Sequence, residues 1–273
     1  MHPFCLIGVI EMLTSLQNEH VKHVVALHKR KTRKDYGEFL IEGWRFIEEA
    51  IRREAEIRQI YVCPEKEKGY WSSLYSVLRE RKIPILEVDE RVLRKMSETE
   101  EPQGILAVVG LKSLSWKDLE VDSKTVLLIV DGIQDPGNLG TILRTALAAG
   151  VQQVCLTTGT VDLYNPKVLR STMGTVFSLQ VLTDCSPEQV IEFAQSKGLK
   201  VLTGDIEGEP FYETQFDLPL ALVVGNEGNG PSEVFRSPEL TRVTLPMSHE
   251  VESLNVAIAT GIILYEIARR KGL

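Results

Sequence analysis

The chain has 273 residues, 43% hydrophobic and 25% charged, with a formal net charge of -7; that fills one large core or two small ones and is too acidic for a protein coated in nucleic acid. The charge is uneven: residues 1–123 carry 20 Lys and Arg against 21 Asp and Glu, whereas 124–273 carry 11 against 17. Four cysteines, Cys5, Cys63, Cys155 and Cys185, form no CxxC pair, and the five histidines form no ligand pattern, so no disulfide framework and no metal site are expected, and a reducing cytoplasm is the simplest setting.

The apolar run at 4–10 lacks a basic flank and a cleavage site and is too short to span a bilayer, so no membrane partner is expected. Residues 1–11 read as a dispensable extension, part of a flexible stretch reaching to 18. In chain order the patterning then predicts a helix over 19–29, a basic loop, a strand at 39–41 and a helix over 44–53. A strand at 58–63, a helix over 71–81, a strand at 84–88, a helix over 90–96 and a strand at 105–109 follow, making residues 1–112 a small αβα sandwich. Residues 113–123 mix Ser, Lys, Asp and Glu and read as a linker.

The second domain, 124–273, opens with the continuous apolar run of 125–130, the signature of a strand buried on both faces. A helix over 138–149 is stopped by Gly150, where a left-handed cap is expected. A strand at 154–157, a helix at 166–172, a strand at 178–182 and a helix over 187–196 started by Ser186 continue the alternation. Strands at 200–203, 220–224 and 242–245 and a final helix over 254–271 complete an α/β domain with a parallel sheet. That helix is predicted to bury Ala257, Ile258, Gly261, Leu264, Tyr265 and Ala268.

Three segments at strand ends are candidates for chemistry, because parallel sheets bind ligands there. The first runs from Asp135 to Arg144 and places Asn138 at a helix start. The second, Gly225-Asn226-Glu227-Gly228-Asn229-Gly230, is a glycine loop that lets backbone approach a ligand closely, but it has neither the Lys-Ser/Thr of a phosphate loop nor an early GxGxxG. In the third, Leu245-Pro246-Met247 leads to Ser253, read as an N-cap, and to Asn255 in the first helical turn. Taken singly, each is more simply a cap, a turn or a helix start.

Together, Asn138-x-Gly140-x-x-x-Arg144, Gly225-Asn226-Glu227-Gly228, and Leu245-Pro246-Met247 with Ser253-Leu254-Asn255 resemble the three motifs of the SpoU branch of the SPOUT methyltransferases, in order over about 150 residues. The first domain is similar, less sharply, to the RNA substrate-binding domain that precedes such catalytic domains. The resemblance implies a C-terminal trefoil knot, a homodimer and S-adenosylmethionine-dependent ribose 2'-O-methylation of structured RNA, ribosomal rather than transfer RNA; a non-catalytic RNA-binding protein on the same fold is the alternative from another class. By position it implies cofactor contacts at Thr203, Gly204, Gly225, Leu245, Met247 and Leu254, largely through main chain. It assigns the reaction centre to Arg144, with Asn138, Glu227, Ser253 and Asn255 around it. A guanidinium stays protonated and is a poor base, so Arg144 is expected to position the hydroxyl or a phosphate, with Glu227 ordering Arg144 or Asn138. Lys167 and Arg170, within the family-like stretch around Tyr164 to Gly174, are candidate phosphate contacts. So is the run Lys29, Arg30, Lys31, Arg33 and Lys34, because clustered cations release counterions from a polyanion.

Overall fold

The computed structural model describes residues 12–66, 69, 71–226, 228–251 and 253–271. The chain divides into two compact units, Met1–Lys112 and Ser113–Leu273; the expected extension over 1–11 lies outside the described residues.

In the first unit, helices α1 (Glu19–Ala26), α2 (Arg30–Tyr36), α3 (Trp44–Arg52), α4 (Trp71–Glu80) and α5 (Glu90–Met96) are interleaved with strands β1 (Glu38–Glu42), β2 (Ile57–Val62), β3 (Ile85–Glu87) and β4 (Ile105–Gly110). The sheet order is β1-β4-β2-β3, with β4 antiparallel to both neighbours and β2 parallel to β3. All six residues of β4 are buried, which requires cover on both faces because successive side chains point to opposite sides. Tyr61, Leu106 and Val108 pack against Val21 and Val24 of α1 and Val92, Leu93 and Met96 of α5. On the other side Ile41, Ile60 and Ala107 are buried beneath α3, whose Ile47, Ala50 and Ile51 are themselves buried. The unit is the expected αβα sandwich.

Two local expectations are corrected. Residues 12–18 are not a loose extension: Leu13 bridges Val88, its N–H donates to the Glu87 carbonyl at 2.8 Å, and Asn18 caps α1 through the His20 N–H at 2.8 Å. The basic stretch is helical, not a loop. Long unbranched side chains have good helix propensity, and Arg33, only 6% exposed, donates to the Leu27 and His28 carbonyls at 2.8 Å each. It thereby satisfies acceptors left open just beyond α1, and Gly37 ends α2 at φ 65°.

The second unit contains β5 (Val126–Val130), α6 (Pro136–Ala148), β6 (Gln153–Thr157), α7 (Pro166–Thr172), β7 (Gln180–Cys185), α8 (Pro187–Ser196), β8 (Lys200–Pro210), β9 (Leu220–Val224), β10 (Thr241–Thr244) and α9 (Val256–Lys271). All its strand pairs are parallel, in the order β10-β8-β9-β5-β6-β7. One face, carrying Leu127, Ile129, Cys155, Ala221 and Val223, packs on Val190, Phe193 and Ala194 of α8. On the opposite face α6 packs against both α7 and α9. Local chemistry explains the helix starts: Asp135 accepts from the Asn138 N–H at 2.7 Å ahead of Pro136, and Ser186 forms a reciprocal capping box with Gln189 ahead of Pro187.

Here too the structure departs from expectation in places. The stretch 113–123 belongs to this unit rather than to a linker: Leu119 is 2% exposed in the core, Leu114, Trp116 and Val121 pack against it, and the Trp116 ring lies 4.9 Å from that of Phe193. The strand expected at 178–182 begins only at Gln180, because the turn after Gly174 holds the Ser178 N–H on the Thr175 carbonyl. Strand β8 runs seven residues beyond Thr203, to Pro210; its polar second half pairs with β10 after a register shift, Val243 opposite Glu209. On α9, Ala257, Leu264 and Ala268 are buried as expected, but Ile258 is 56% and Tyr265 54% exposed. A helix with apolar residues on nearly all sides leaves the choice of buried face to its neighbours, and here Gly261 lies against Thr145 of α6.

Candidate functional site

Because the sheet is parallel, β5, β8, β9 and β10 deliver their C-terminal ends to one edge. The end of β5 is held by a buried carboxylate, Asp131, which accepts from the Thr157 hydroxyl and from the Ser232 N–H, both at 2.6 Å. Neighbouring Gly132, at φ 68°, donates its N–H to the Thr157 and Thr160 hydroxyls. Its carbonyl accepts from the Asn226 side-chain amide at 2.8 Å, while the Asn226 Oδ1 accepts from the N–H groups of Gly228 and Asn229. The glycine loop is therefore tied to the β5 end by hydrogen bonds at its start and beyond its close. Gly225 is required there on steric grounds: a Cβ would meet the Pro231 nitrogen at 2.2 Å, so any side chain would push the folded-back loop away from the sheet.

This loop, the β8 and β10 ends and the segment before α9 enclose a cleft of about 640 Å³, within the range of small-molecule and cofactor sites. Gly204, Gly225, Leu245, Met247 and Leu254, five of the six positions expected at the cofactor, line it, as does Ser253. Backbone groups, small residues and apolar side chains dominate the expected wall; such a wall suits a ligand with a flat heterocycle recognised mainly by main chain. Thr203 lies beneath the wall instead, wholly buried with its hydroxyl on the Phe235 carbonyl at 2.8 Å. Asp205, Glu207, Arg236 and Arg242 also line the cleft; Asp205 and Glu207 were not anticipated because the polar half of β8 gave no strand signal, and the two arginines because they lie outside the three motif segments.

The first and third motif segments meet directly. Asn255 Nδ2 donates to Asn138 Oδ1 at 2.9 Å, across 117 residues of sequence. Asn255 is also the cap of α9, its Oδ1 accepting from the Ala257 and Ile258 N–H groups at 2.9 and 3.3 Å. The expected cap, Ser253, lies before that turn, and Asp135 rather than Asn138 caps α6. Glu227 lies outside the described residues. Arg144 stands on the exposed side of α6 and has no ion-pair or hydrogen-bond partner for its guanidinium among the described residues. Arg144 lies six positions after Asn138 on the helix, which turns the two side chains about 120° apart around the axis, so the two leave α6 on different sides. Lys167 and Arg170 are exposed on α7. Burial among its neighbours pushes the Tyr164 hydroxyl up to about 12, which removes it as a base at neutral pH. Among the described residues no group of three His, Cys, Asp or Glu side chains is placed to hold a metal ion, and no helix is long and apolar enough to cross a membrane.

A ligand cleft at the strand ends of a parallel sheet, preceded by an αβα unit, defines the class of protein at hand. Comparison with known proteins narrows it. A family model described as the SpoU rRNA Methylase family matches residues 125–265, and one described as an MRM3-like substrate binding domain matches 18–107. The 23S rRNA (guanosine(2553)-2'-O)-methyltransferase RlmP of Bacillus subtilis (strain 168) is 34% identical over 259 residues, covering 94% of this chain and 99% of the relative. The 23S rRNA (uridine(2479)-2'-O)-methyltransferase of Streptomyces viridochromogenes is 29% identical over 252 residues, covering 90% and 87%. The crystal structure of an AdoMet-bound rRNA methyltransferase from Sinorhizobium meliloti superposes with a TM-score of 0.84 at 28% identity, covering 96% of this chain and 98% of that one. The chain belongs to the SpoU family of SPOUT-type, S-adenosylmethionine-dependent RNA ribose 2'-O-methyltransferases.

Proposed function

We propose that this enzyme methylates a ribose 2'-hydroxyl of ribosomal RNA, with the cleft at the strand ends holding the methyl donor and the Asn138–Asn255 pair marking the RNA side of the site. The observation that carries the reading is that pair: it fastens two distant segments together beside the donor-sized cleft. Two relatives that match 90% or more of the chain are ribosomal-RNA methyltransferases by name, and those matches extend into the N-terminal unit.

When bound, S-adenosylmethionine supplies an electrophilic methyl on sulfur. The ribose oxygen forms the new O–C bond as the S–C bond breaks, and the hydroxyl proton leaves to a base or water. Among this chain's residues, main-chain groups at Gly204, Gly225, Leu245, Met247 and Leu254 orient the donor; Ser253 and the Asn255 amide border the hydroxyl. Arg144 acts as a positioning cation for the hydroxyl or an adjacent phosphate. Orientation of two reactants contributes most where no strong base is available.

A homodimer completes the reading. Leu254, Ile258, Ile262 and Tyr265, spaced at four, four and three residues, form an exposed apolar stripe along α9 and the segment before it. Thr145, the residue after Arg144 on α6, lies against Gly261 of the same helix α9. A second copy laid on the stripe takes its apolar surface out of water and gives each Arg144 a neighbouring protomer to reach into. The segment between β9 and α9 is threaded as a trefoil knot, in keeping with Asp131 holding Ser232 and with α9 returning to α6. Free, buried Cys63, Cys155 and Cys185 suit a reducing cytoplasm.

Ribose-methylation mapping across all RNA from cells with and without the gene tests the proposal. One ribosomal-RNA position losing its methyl group is the expected result. A change confined to transfer RNA would move the substrate, and donor binding with no RNA changed at all would leave a non-catalytic RNA-binding protein.

A further inference from the structure

A single exposed aromatic ring is ordinary on a protein surface, but Tyr36 is held in place by a chain of side chains. It is the last residue of α2 and 56% exposed. Its ring stands perpendicular to that of His23, at 88° with centroids 4.8 Å apart. His23 Nε2 lies 2.6 Å from Glu38 Oε2, and the other Glu38 oxygen accepts from Arg58 Nη1 at 2.7 Å. Arg58 in turn donates from Nε to Glu56 at 2.8 Å. Buried Arg33 locks the middle of the same helix to the end of α1. The exposed residues around it are mainly cationic, Lys29, Arg30, Lys31 and Lys34, with Asp35 the exposed acid of this helix. Lys29 lies seven residues before Tyr36, two turns away on the same side.

We propose that Tyr36 is a stacking platform for one unpaired base of the RNA substrate, with the flanking phosphates lying along the cationic surface of α2. The inference rests on the reading that RNA is the substrate and assigns part of its recognition to the first unit. The physical argument is one of complementarity. Aromatic faces bind any base by stacking, and clustered cations bind the backbone beside it. A platform is most effective when its ring is oriented before the base arrives, because less side-chain freedom is then lost on binding; the His23–Glu38–Arg58 chain supplies that order. Duplex RNA keeps its bases stacked inside and offers no free face, so the site selects unpaired or bulged nucleotides.

Binding of the full-length protein to a fluorescent single strand of about twelve adenosines, compared with an A·U duplex of the same length, tests this directly. Tyr36→Ala is expected to weaken single-strand binding about tenfold, and Tyr36→Phe to stay within about twofold of wild type. Duplex binding should be unchanged in both, as should melting temperature and S-adenosylmethionine affinity. The salt slope separates the roles: Tyr36→Ala leaves it unaltered, whereas Lys31→Ala reduces it by about 0.7 for a lost phosphate contact. Equal binding by wild type and Tyr36→Ala, an equal loss on the duplex, or no binding of the single strand by wild type would each overturn the platform. The parent reading fails separately, if the cellular mapping finds no RNA that this enzyme methylates.

Discussion

Asn255 combines two jobs in one side chain. Its oxygen caps α9 and its amide nitrogen reaches Asn138. Substitutions separate them. Asn255→Asp retains a good cap but has no donor for Asn138, so its melting temperature should stay near wild type while kcat falls; Asn255→Ala should lose both, with about 1 kcal/mol of stability gone in denaturant titration. Arg144 poses the complementary question. If it positions through its planar fork, Arg144→Lys keeps the charge but loses bidentate geometry, and kcat should drop about a hundredfold. Donor affinity measured by calorimetry should not move. Near-normal turnover by the lysine variant at neutral pH would rule the positioning role out.

Helix α9 is the element on which the second unit closes. Near its C-terminus Glu266 accepts from Arg269 at 2.8 and 2.9 Å and from Arg270 at 2.6 Å. Those two guanidinium groups hold its carboxyl down, from the ordinary 4.5 to about 2. Arg270 also donates to the Thr214 and Tyr212 carbonyls, each at 2.7 Å, and lies over the Phe216 ring, so the triad pins the segment between β8 and β9 to the helix. A carboxyl with a depressed folded-state pKa stabilises the fold fully above its unfolded value and loses that contribution as pH falls toward the folded value. The melting-temperature gap between wild type and Glu266→Gln should therefore be constant above about pH 5 and shrink steadily below 4.5 toward about 2. Thermal scans across that window check it. A gap that stayed constant down to pH 3 would mean that the ion cluster does not set it. The gap itself should be small, since Arg269 is largely exposed and ion pairs open to water contribute little.

For the whole molecule, the proposed dimer is tested at the exposed apolar stripe of α9. Ile258→Glu together with Tyr265→Lys places charges where Ile258 and Tyr265 are more than half exposed, so the folded chain should tolerate them. A dimer would not. Light scattering should report a monomer with an unchanged melting profile and greatly reduced methyl transfer, because Arg144 would have no second protomer to reach into. A wild-type chain that is monomeric at working concentration would remove the dimer from the proposal.

Much of this was legible in the sequence because it depends on short-range chemistry. Caps such as Asp135 and Ser186 act within a turn, and the wholly apolar strands of the second unit can only lie between two layers. The motif residues were visible as types at strand ends, and five of the six positions expected at the cofactor line one cleft. What only the tertiary structure decided involves groups far apart in the chain. Asp131 on Ser232, Asn226 on Gly132 and Asn255 on Asn138 are contacts across 101, 94 and 117 residues. The folding of 113–123 into a core, the withdrawal of Arg33 from the basic surface and the exposed face of α9 are likewise tertiary outcomes. Periodicity records that a helix has apolar sides and a run has charge; which side meets a neighbour, and which cation satisfies a carbonyl instead of facing solvent, depends on how distant segments of the chain pack.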